Sequence, residues 1–270
     1  MDSNFVSVII PTYCPGQYIF DCLDSLAKQT LSYASFEIII VLNGCKAPYE
    51  ELLKKYIQDN MNDMNITVVQ TDRAGVSNAR NLALDIAKGN YICFLDDDDY
   101  VSVNYLARLL EKVRPGVLVV SNLLTFSDED KSKFGSDYIT HAYQCINSNS
   151  VFACRSFLSS ACAKLIRKDI IDNRLFDVQL ANSEDALFMF NISNKIQRIE
   201  RAEADAIYYR RLRQNSASRV HISLKKRVIS SLRLAGKFSL IYIHRPFSYN
   251  FLLYISRIVA VLYRNVLQRR

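Results

Sequence analysis

The chain has 270 residues, half of them hydrophobic and 23% charged, a composition that allows a sizeable core and excludes a disordered or collagen-like protein. Its formal net charge of +7 is unevenly distributed: residues 206–270 hold 14 lysines and arginines and no acidic residue, whereas the first 205 hold 20 basic and 27 acidic residues. This acidic body with a basic tail predicts an attraction of the tail to phosphate, either in nucleic acid or in anionic lipid.

Short apolar runs alternate with helix-like segments through the first 120 residues. The runs predict buried strands at 5–10, 36–42, 66–70, 91–95 and 116–121, with helices at 17–29, 49–59, 76–88 and 104–113. This alternation is typical of an α/β fold with a mainly parallel sheet covered by helices on both faces. Because ligands bind beyond the carboxyl ends of such strands, we expect the site in segments 11–16, 43–47, 71–75 and 96–99.

The second half of the chain has a less regular pattern. Residues 128–150 are polar and predict a variable excursion without clear elements. Order is expected to resume at 162–171, followed by a helix at 184–192 and a short strand at 206–209.

Four consecutive aspartates, residues 96–99, form the strongest local signal and directly follow the predicted strand 91–95. Adjacent carboxylates repel one another, and a divalent cation that prefers oxygen ligands, Mn²⁺ or Mg²⁺, would remove that repulsion. Such an ion could also bridge the oxygens of a diphosphate leaving group. The alternative is a solvated acidic turn, but the position at a strand end favours the metal.

Three weaker segments could carry further chemistry. Gly75 begins a predicted helix after a strand, where phosphate can approach closely, and Arg80 adds a bidentate donor; an ordinary helix start with a surface arginine is the alternative. Glu184 and Asp185 open another predicted helix, where acids commonly complement the helix dipole but could also accept a proton from a hydroxyl. The arginine-rich segment 208–218 could hold a diphosphate or form a solvated basic loop.

The order and spacing of five segments resemble family 2 glycosyltransferases over roughly residues 5 to 220. These segments are VSVIIPTY at 6–13, QT at 29–30, EIIIV at 37–41, GVSNARN at 75–81 and YICFLDDDD at 91–99. The resemblance implies the GT-A fold, a Rossmann-like αβα sandwich. It also implies transfer of a sugar from a nucleotide diphosphate sugar with inversion at the anomeric carbon.

The resemblance implies a nucleotide site at the ends of the first strands. Pro11, Thr12 and Tyr13 match positions that line the nucleotide pocket, and Arg80 matches one at the nucleotide diphosphate. The family often has two aspartates after the second strand, and the second of them contacts the base. Asn43 stands there in this chain, and its amide can both accept and donate a hydrogen bond, which is compatible with the uracil of a UDP-sugar.

The remaining matched positions imply the chemistry of transfer. Asp185 matches the second acid of the family's Glu-Asp motif, which implies a general base that takes the proton from the acceptor hydroxyl. Asp98 is the implied metal ligand, and the metal would stabilise the departing diphosphate. The residues implied beside them are Asp96 and Asp97, close to the ribose and the metal, and Arg210 and Arg213, which contact the diphosphate.

The chain is expected to divide into a catalytic domain, 1–220, and a basic tail, 221–270. Within the domain we expect a nucleotide-binding half at 1–121 and an acceptor-binding half at 122–220. Arg257 interrupts the most apolar part of the tail, which is too short and broken for a comfortable transmembrane span. We expect a pair of amphipathic helices on anionic lipid, with packing against the domain as the alternative and no nucleic-acid partner.

The expected setting is the inner face of the cell membrane. Seven cysteines without a CxxC pair and an N-terminus without a signal-peptide pattern predict reduced thiols and a cytoplasmic, peripheral protein. The predicted acceptor is a glycan or lipid-linked hydroxyl in surface-polysaccharide synthesis. One alternative is a nucleotidyltransferase of similar fold, which the missing Gly-rich triphosphate loop disfavours. The other is an inactive carbohydrate- or membrane-binding protein, which the retention of Asp98 and Asp185 disfavours.

Overall fold

The computed structural model describes residues 4–44, 46–145, 148–213 and 224–263. The strands are β1 (Val6–Thr12), β2 (Phe36–Asn43), β3 (Ile66–Thr71), β4 (Tyr91–Phe94), β5 (Tyr100–Val101), β6 (Val117–Val120), β7 (Asn122–Ser127), β8 (Asp130–Gly135), β9 (Lys164–Arg167), β10 (Arg198–Arg201) and β11 (Ile207–Arg211). The α-helices are α1 (Tyr18–Ala27), α2 (Tyr49–Asn60), α3 (Val76–Ile86), α4 (Tyr105–Glu111), α5 (Tyr138–Cys145), α6 (Lys168–Ile171), α7 (Glu184–Ile192), α8 (Leu224–His244) and α9 (Phe251–Leu262).

A seven-stranded, mostly parallel sheet forms the centre of the fold, as predicted. Its strand order is β10-β6-β9-β4-β1-β2-β3, and only β9 runs antiparallel to its neighbours. Every residue of β1 and β2 is buried, which is why these strands read as continuous apolar runs. The predicted strands and helices of the first 120 residues are present, with ends that differ by at most two residues.

Strand β1 continues past its predicted end at Ile10 and includes Pro11. The backbone N–H of Leu95 donates to the carbonyl of Ile9, so Ile9 and Pro11 direct their backbone groups toward the β4 side. The pairing of β1 with β4 ends at Ile9 and Phe94, so the missing N–H of Pro11 breaks no ladder bond. The two strands are unpaired beyond that point, and the acidic run begins there.

The structure contains a second sheet that the sequence did not predict. It has the order β5-β11-β7-β8, and β7 follows β6 after a single residue, Ser121. The predicted featureless excursion at 128–150 is therefore wrong, because it contains β8 and α5. The sequence of β8, DKSKFG, has one large apolar residue and so lacks the alternation on which a strand prediction depends.

The tail packs against the rest of the protein, which was the stated alternative. Helix α8 contacts α7 and α9, and the ring of Phe190 lies 5.2 Å from the rings of both Phe238 and Tyr249. The tail nevertheless also carries large exposed apolar side chains, including Leu240 on α8 and Phe247 in the connection to α9. Among the helices described, none is long and apolar enough to cross a membrane. Residues 264–270 of the tail lie outside the described part.

Candidate active site

The four aspartates beyond β4 occupy different environments. Asp99 points inward and is buried, where it accepts hydrogen bonds from the Tyr208 hydroxyl at 2.6 Å and the Arg211 backbone N–H at 2.8 Å. Asp97 accepts a short hydrogen bond from the Thr12 hydroxyl. Burial raises the pKa of Asp97 to about 7, although the Thr12 bond opposes that rise. Asp99 therefore shapes the turn, while the other three carboxylates remain for chemistry.

Asp98 is partly buried and pairs with Arg213, whose Nε lies 2.6 Å from its Oδ2. Burial and the neighbouring Asp96 raise the pKa of Asp98, and Arg213 only partly opposes this. The guanidinium of Arg213 also lies over the ring of Tyr18 at 4.8 Å. The two residues predicted to hold the metal and the diphosphate are thus adjacent. The rest of the predicted arginine-rich segment, 214–218, lies outside the described residues.

The donor set fits a cation that completes its coordination with ligand oxygens. No cluster of three or more metal-binding side chains occurs in the part of the chain that is described, so these residues alone do not form a closed cage. Carboxylates with raised pKa values, such as Asp97 and Asp98, carry negative charge that the protein incompletely compensates. Asp98 could hold Mn²⁺ or Mg²⁺, with Asp96 beside it, if a diphosphate supplied further oxygens.

Arg80 connects the acidic run to Asp185. Its guanidinium is buried, with Nη2 2.9 Å from Oδ1 of Asp96 and Nη1 2.5 Å from Oδ1 of Asp185. The guanidinium lies over the ring of Phe176, with its central carbon 5.3 Å from the ring centroid. Burial alone would lower the pKa of Arg80, but Asp185, Asp96 and Glu184 raise it above its usual value. Arg80 therefore holds the two predicted catalytic elements together instead of extending into solvent.

Asp185 lies in the first turn of α7 and has both carboxylate oxygens engaged. Its Oδ2 accepts hydrogen bonds from the backbone N–H of Ala161 at 3.0 Å and from the hydroxyl of Ser160 at 3.4 Å. Ser183, two residues earlier, has a left-handed backbone with φ of +66°, an uncommon conformation for a serine that starts this helix. Nothing in the sequence indicated that residues 160–161 would bind Asp185, because they lie in a turn far from α7 along the chain.

The predicted nucleotide residues lie at the ends of β1 and β2. Tyr13 is 60% exposed, and its ring lies so close to the backbone of Gly44 that an added Cβ there would be 2.8 Å from it. Asn43 is buried; its Nδ2 donates to the Thr12 carbonyl at 2.7 Å, and its Oδ1 accepts from Gly75 N–H at 2.9 Å. Asn43 therefore ties β1 to the start of α3, and its contact with a base stays a prediction.

The arginines of β11 alternate in direction, and the sequence did not reveal which of them faces the acidic run. Arg210 forms an ion pair with Asp137 at 2.8 Å instead of with that run. Arg211, which was not predicted, is buried and donates through Nε to the Asp98 carbonyl at 2.7 Å. It also pairs with Asp21 at 2.7 Å and with a further carboxylate, Asp128. Arg211 thus anchors the acidic turn to two other segments.

The model of the family described as glycosyl transferase family 2 matches residues 7–175. The chain belongs to this family. GlyA, a glycosyltransferase of Streptococcus pneumoniae serotype 4, is 28% identical over 228 residues, which cover 80% of this chain and 32% of GlyA. TarS, a poly(ribitol-phosphate) beta-N-acetylglucosaminyltransferase of Staphylococcus aureus, is 32% identical over 117 residues, 42% of this chain and 20% of TarS. This chain therefore spans about a third of GlyA and a fifth of TarS.

Solved structures confirm the predicted GT-A fold. TarS 1–349 in complex with UDP-GlcNAc aligns with a TM-score of 0.74 at 20% identity, covering 97% of this chain and 73% of that one. The mannosyltransferase PcManGT from Pyrobaculum calidifontis, in complex with GDP-Man and Mn²⁺, aligns with a TM-score of 0.58 at 14% identity. That alignment covers 96% of this chain and 74% of PcManGT. At these identities the likeness shows the fold.

Proposed function

We propose that this family 2 chain is an inverting glycosyltransferase that moves a sugar from a nucleotide diphosphate sugar to an acceptor hydroxyl. The observation that carries the proposal is the bridge Asp96–Arg80–Asp185, which fixes a carboxylate beside the acidic end of a parallel sheet. A UDP-sugar is the donor to test first, because the TarS structure of the same fold holds UDP-GlcNAc. The proposed acceptor is a glycan or lipid-linked hydroxyl in cell-surface polysaccharide synthesis; the name of TarS gives poly(ribitol-phosphate) as its acceptor.

The donor would lie across the ends of β1 and β4. The exposed ring of Tyr13 offers a surface on which a base can stack, and Pro11 and Thr12 form the floor beside it. Asn43 keeps a second amide proton and a second lone pair for the base after its bonds to the backbone. The diphosphate would lie between this end and the acidic run.

A divalent cation, Mn²⁺ or Mg²⁺, would be held by Asp98 and would stabilise the charge of the departing diphosphate. PcManGT, which shares the fold, was solved with Mn²⁺. Arg213 pairs with Asp98 and so lies beside the place proposed for the metal, where its guanidinium could also contact a bound diphosphate. Arg210 is less suitable for this role because Asp137 already pairs with it.

Asp185 would act as the general base. An acceptor hydroxyl placed on the open side of its carboxylate transfers its proton to Asp185 while its oxygen attacks the anomeric carbon opposite the leaving nucleotide. Arg80 and the N–H of Ala161 hold the carboxylate in one orientation, which removes the cost of orienting it during the reaction.

The experiment is a transfer assay that measures nucleoside diphosphate release from UDP-GlcNAc and other nucleotide sugars in the presence of acceptor. The change Asp185→Asn should lower transfer by about 10²- to 10⁴-fold and leave nucleotide affinity unchanged. Asp169→Asn is the matched control, because Asp169 pairs with Arg167 on the surface. Transfer by the Asp185→Asn protein at the wild-type rate removes Asp185 as the base. Release of pyrophosphate from a nucleoside triphosphate and a sugar phosphate would instead indicate a nucleotidyltransferase.

The tail would hold the enzyme at the inner face of an anionic membrane, as a peripheral protein near its acceptor. Its outward side, here named the tail surface, combines apolar and basic side chains. The residues of the tail surface, all of them exposed, are Leu240, Ile243, Phe247, Leu252, Val259, Arg233 and Arg245.

Partition onto vesicles of anionic and of neutral lipid tests this location. Deleting the tail would uncover the buried Phe238 and Leu253, so point variants are the better probe. The pair Ile243→Glu and Phe247→Glu should abolish binding to anionic vesicles, whereas Leu52→Glu, an exposed leucine on α2, should not. If the double variant and the wild type partition equally, the tail does not bind membrane.

A further inference from the structure

A second buried cation lies at the turn that holds the carboxylate of Asp185. Lys164 begins β9 and is 2% exposed. Its ammonium donates to the carbonyl of Ser160 at 2.6 Å and, by a short bond, to the carbonyl of Cys162. Burial lowers the pKa of the Lys164 ammonium to about 8, while Cys162 and Asp185 oppose that decrease. A buried lysine is costly, so its two bonds to backbone carbonyls call for a physical role.

The lysine closes an irregular turn. Residues 160–163 connect the short 3₁₀ helix Arg155–Ser159 to β9, and Ala163 has a left-handed backbone with φ of +61°. Side chains with a Cβ rarely adopt that conformation, so something must hold the turn in place. The two carbonyls that converge on the Lys164 ammonium do so, together with the bridge of Cys162 to Phe94 at the end of β4.

The same turn holds Asp185. The N–H of Ala161 and the hydroxyl of Ser160, the two donors to Oδ2 of Asp185, lie between the carbonyls that Lys164 binds. We propose that Lys164 is a positioning residue, which orients the Asp185 carboxylate through the turn 160–162. This inference rests on the proposed function, because Asp185 is the base only if the chain transfers a sugar. It adds a residue on β9 that neither the motifs nor the acidic run indicated.

The charge of Lys164 acts in the same direction as its hydrogen bonds. The groups that interact electrostatically with Asp185 include Arg80 from α3, Glu184 from α7 and Lys164 from β9, with the Cys162 thiol beside them; Asp96 shares Arg80 with Asp185. Lys164 and Arg80 are the cations of this set, and Lys164 offsets part of the repulsion from Glu184.

Lys164→Met tests the role, because methionine has a similar length and no donor. We expect kcat to fall by about 10²-fold, the size of a 1 Å misplacement, with less than a twofold change in UDP affinity. Lys164→Arg, which keeps the charge and the donors, should restore part of the rate. Lys168→Met is the matched control, since Lys168 donates to the Ala87 carbonyl at 2.6 Å, away from Asp185.

A folded Lys164→Met protein with wild-type kcat would overturn the proposal. So would an equal loss of rate and UDP affinity, which indicates general damage. A measurement without turnover separates this proposal from the proposed function: at one fixed pH, the NMR resonance of the Asp185 carboxyl carbon should shift in Lys164→Met and stay in place in Lys168→Met, and an unshifted resonance refutes the proposal. If Lys164→Met does not fold, Lys164→Gln, whose uncharged donor lies nearer the backbone, should give the same loss of kcat, and an unchanged kcat refutes the proposal.

Discussion

Replacing Arg80 by methionine tests the electrostatic centre of the site. Arg80 is 3% exposed and faces Asp96, Asp185 and, at 3.7 Å, Glu184. Methionine keeps much of the packing on Phe176 but leaves these carboxylates without their shared cation. Removing one partner of a buried ion pair costs about 3–5 kcal/mol. Because the Asp96 side chain is 42% exposed and can be hydrated, we expect the lower end of that range, about 3 kcal/mol.

The assay is thermal unfolding of the ligand-free protein at pH 7.5 and at pH 4.5. For a chain of this size, about 3 kcal/mol lowers the Tm by roughly 6–12 °C. Burial and Asp185 raise the pKa of Glu184, and Arg80 opposes that rise, so its removal should raise this pKa further. A carboxyl group whose folded pKa is raised destabilises the fold fully above that pKa and not below its unfolded pKa, so the difference from wild type should narrow at pH 4.5.

Arg108→Met is the matched control, because Arg108 pairs with Asp205 and Glu111 on the surface. Its Tm should not change measurably at either pH. If Arg80→Met costs no more than Arg108→Met at pH 7.5, or if its effect is as large at pH 4.5, Arg80 does not hold the carboxylates together as described.

Three further substitutions have outcomes that the geometry fixes. Asp97→Asn should raise the Tm of the ligand-free protein at pH 8 and less so at pH 5. Burial raises the pKa of Asp97 to about 7, so the penalty for this residue grows as pH rises above its unfolded pKa and is complete above its folded pKa; a lower Tm at pH 8 contradicts this. Gly44→Ala should weaken UDP binding in a calorimetric titration, since the new Cβ displaces the ring of Tyr13 and the φ of +90° disfavours alanine; unchanged affinity would exclude Tyr13 from the nucleotide site. Gly89→Ala should lower the Tm, because the new Cβ would lie 2.5 Å from a backbone nitrogen of β1. Gly236→Ala should instead stabilise the protein by about 0.5–1 kcal/mol, because open space surrounds this glycine of α8. Equal effects of the two changes on the Tm would contradict the described packing of Gly89.

The parallel part of the fold could be predicted because β1, β2, β4 and β6 are buried on both faces and the helices around them have an apolar stripe. β1, β2 and β4 are continuous apolar runs, and the ends of these strands identified the acidic run and the residues around Tyr13. For strand β9 the sequence predicted only an ordered region at 162–171, without its type. Its antiparallel insertion between β4 and β6 depends on tertiary pairing, which a single sequence does not encode locally.

The partners of charged residues could not be predicted in the same way. Arg210, Arg211 and Arg213 stand within four positions, yet they pair with Asp137, Asp21 and Asp98, which come from three separate segments. The family resemblance implied diphosphate contacts for Arg210 and Arg213 but not for Arg211. A long flexible side chain takes its role from the acid that the fold brings to it, and that acid is remote in sequence.

The tail shows how two interpretations of one composition can hold together. Apolar residues at helical spacing predicted either a lipid-binding or a domain-packing helix pair. Leu234, Phe238 and Leu253 are buried against the rest of the protein, while Leu240, Ile243 and the other members of the tail surface are exposed. One face of the tail thus completes the fold, and lipid binding by the other face is left to the vesicle experiment.

Calorimetric titration of the purified protein with UDP, with and without Mn²⁺, tests the central claim most directly. If the acidic run and the end of β1 form a nucleotide-sugar site, UDP should bind in the presence of Mn²⁺ and bind weakly or not at all without it. The Asp98→Asn protein should then lose the effect of the metal while remaining folded. Folded wild-type protein that binds neither UDP nor GDP under any of these conditions would contradict the account, whatever the likeness of its fold.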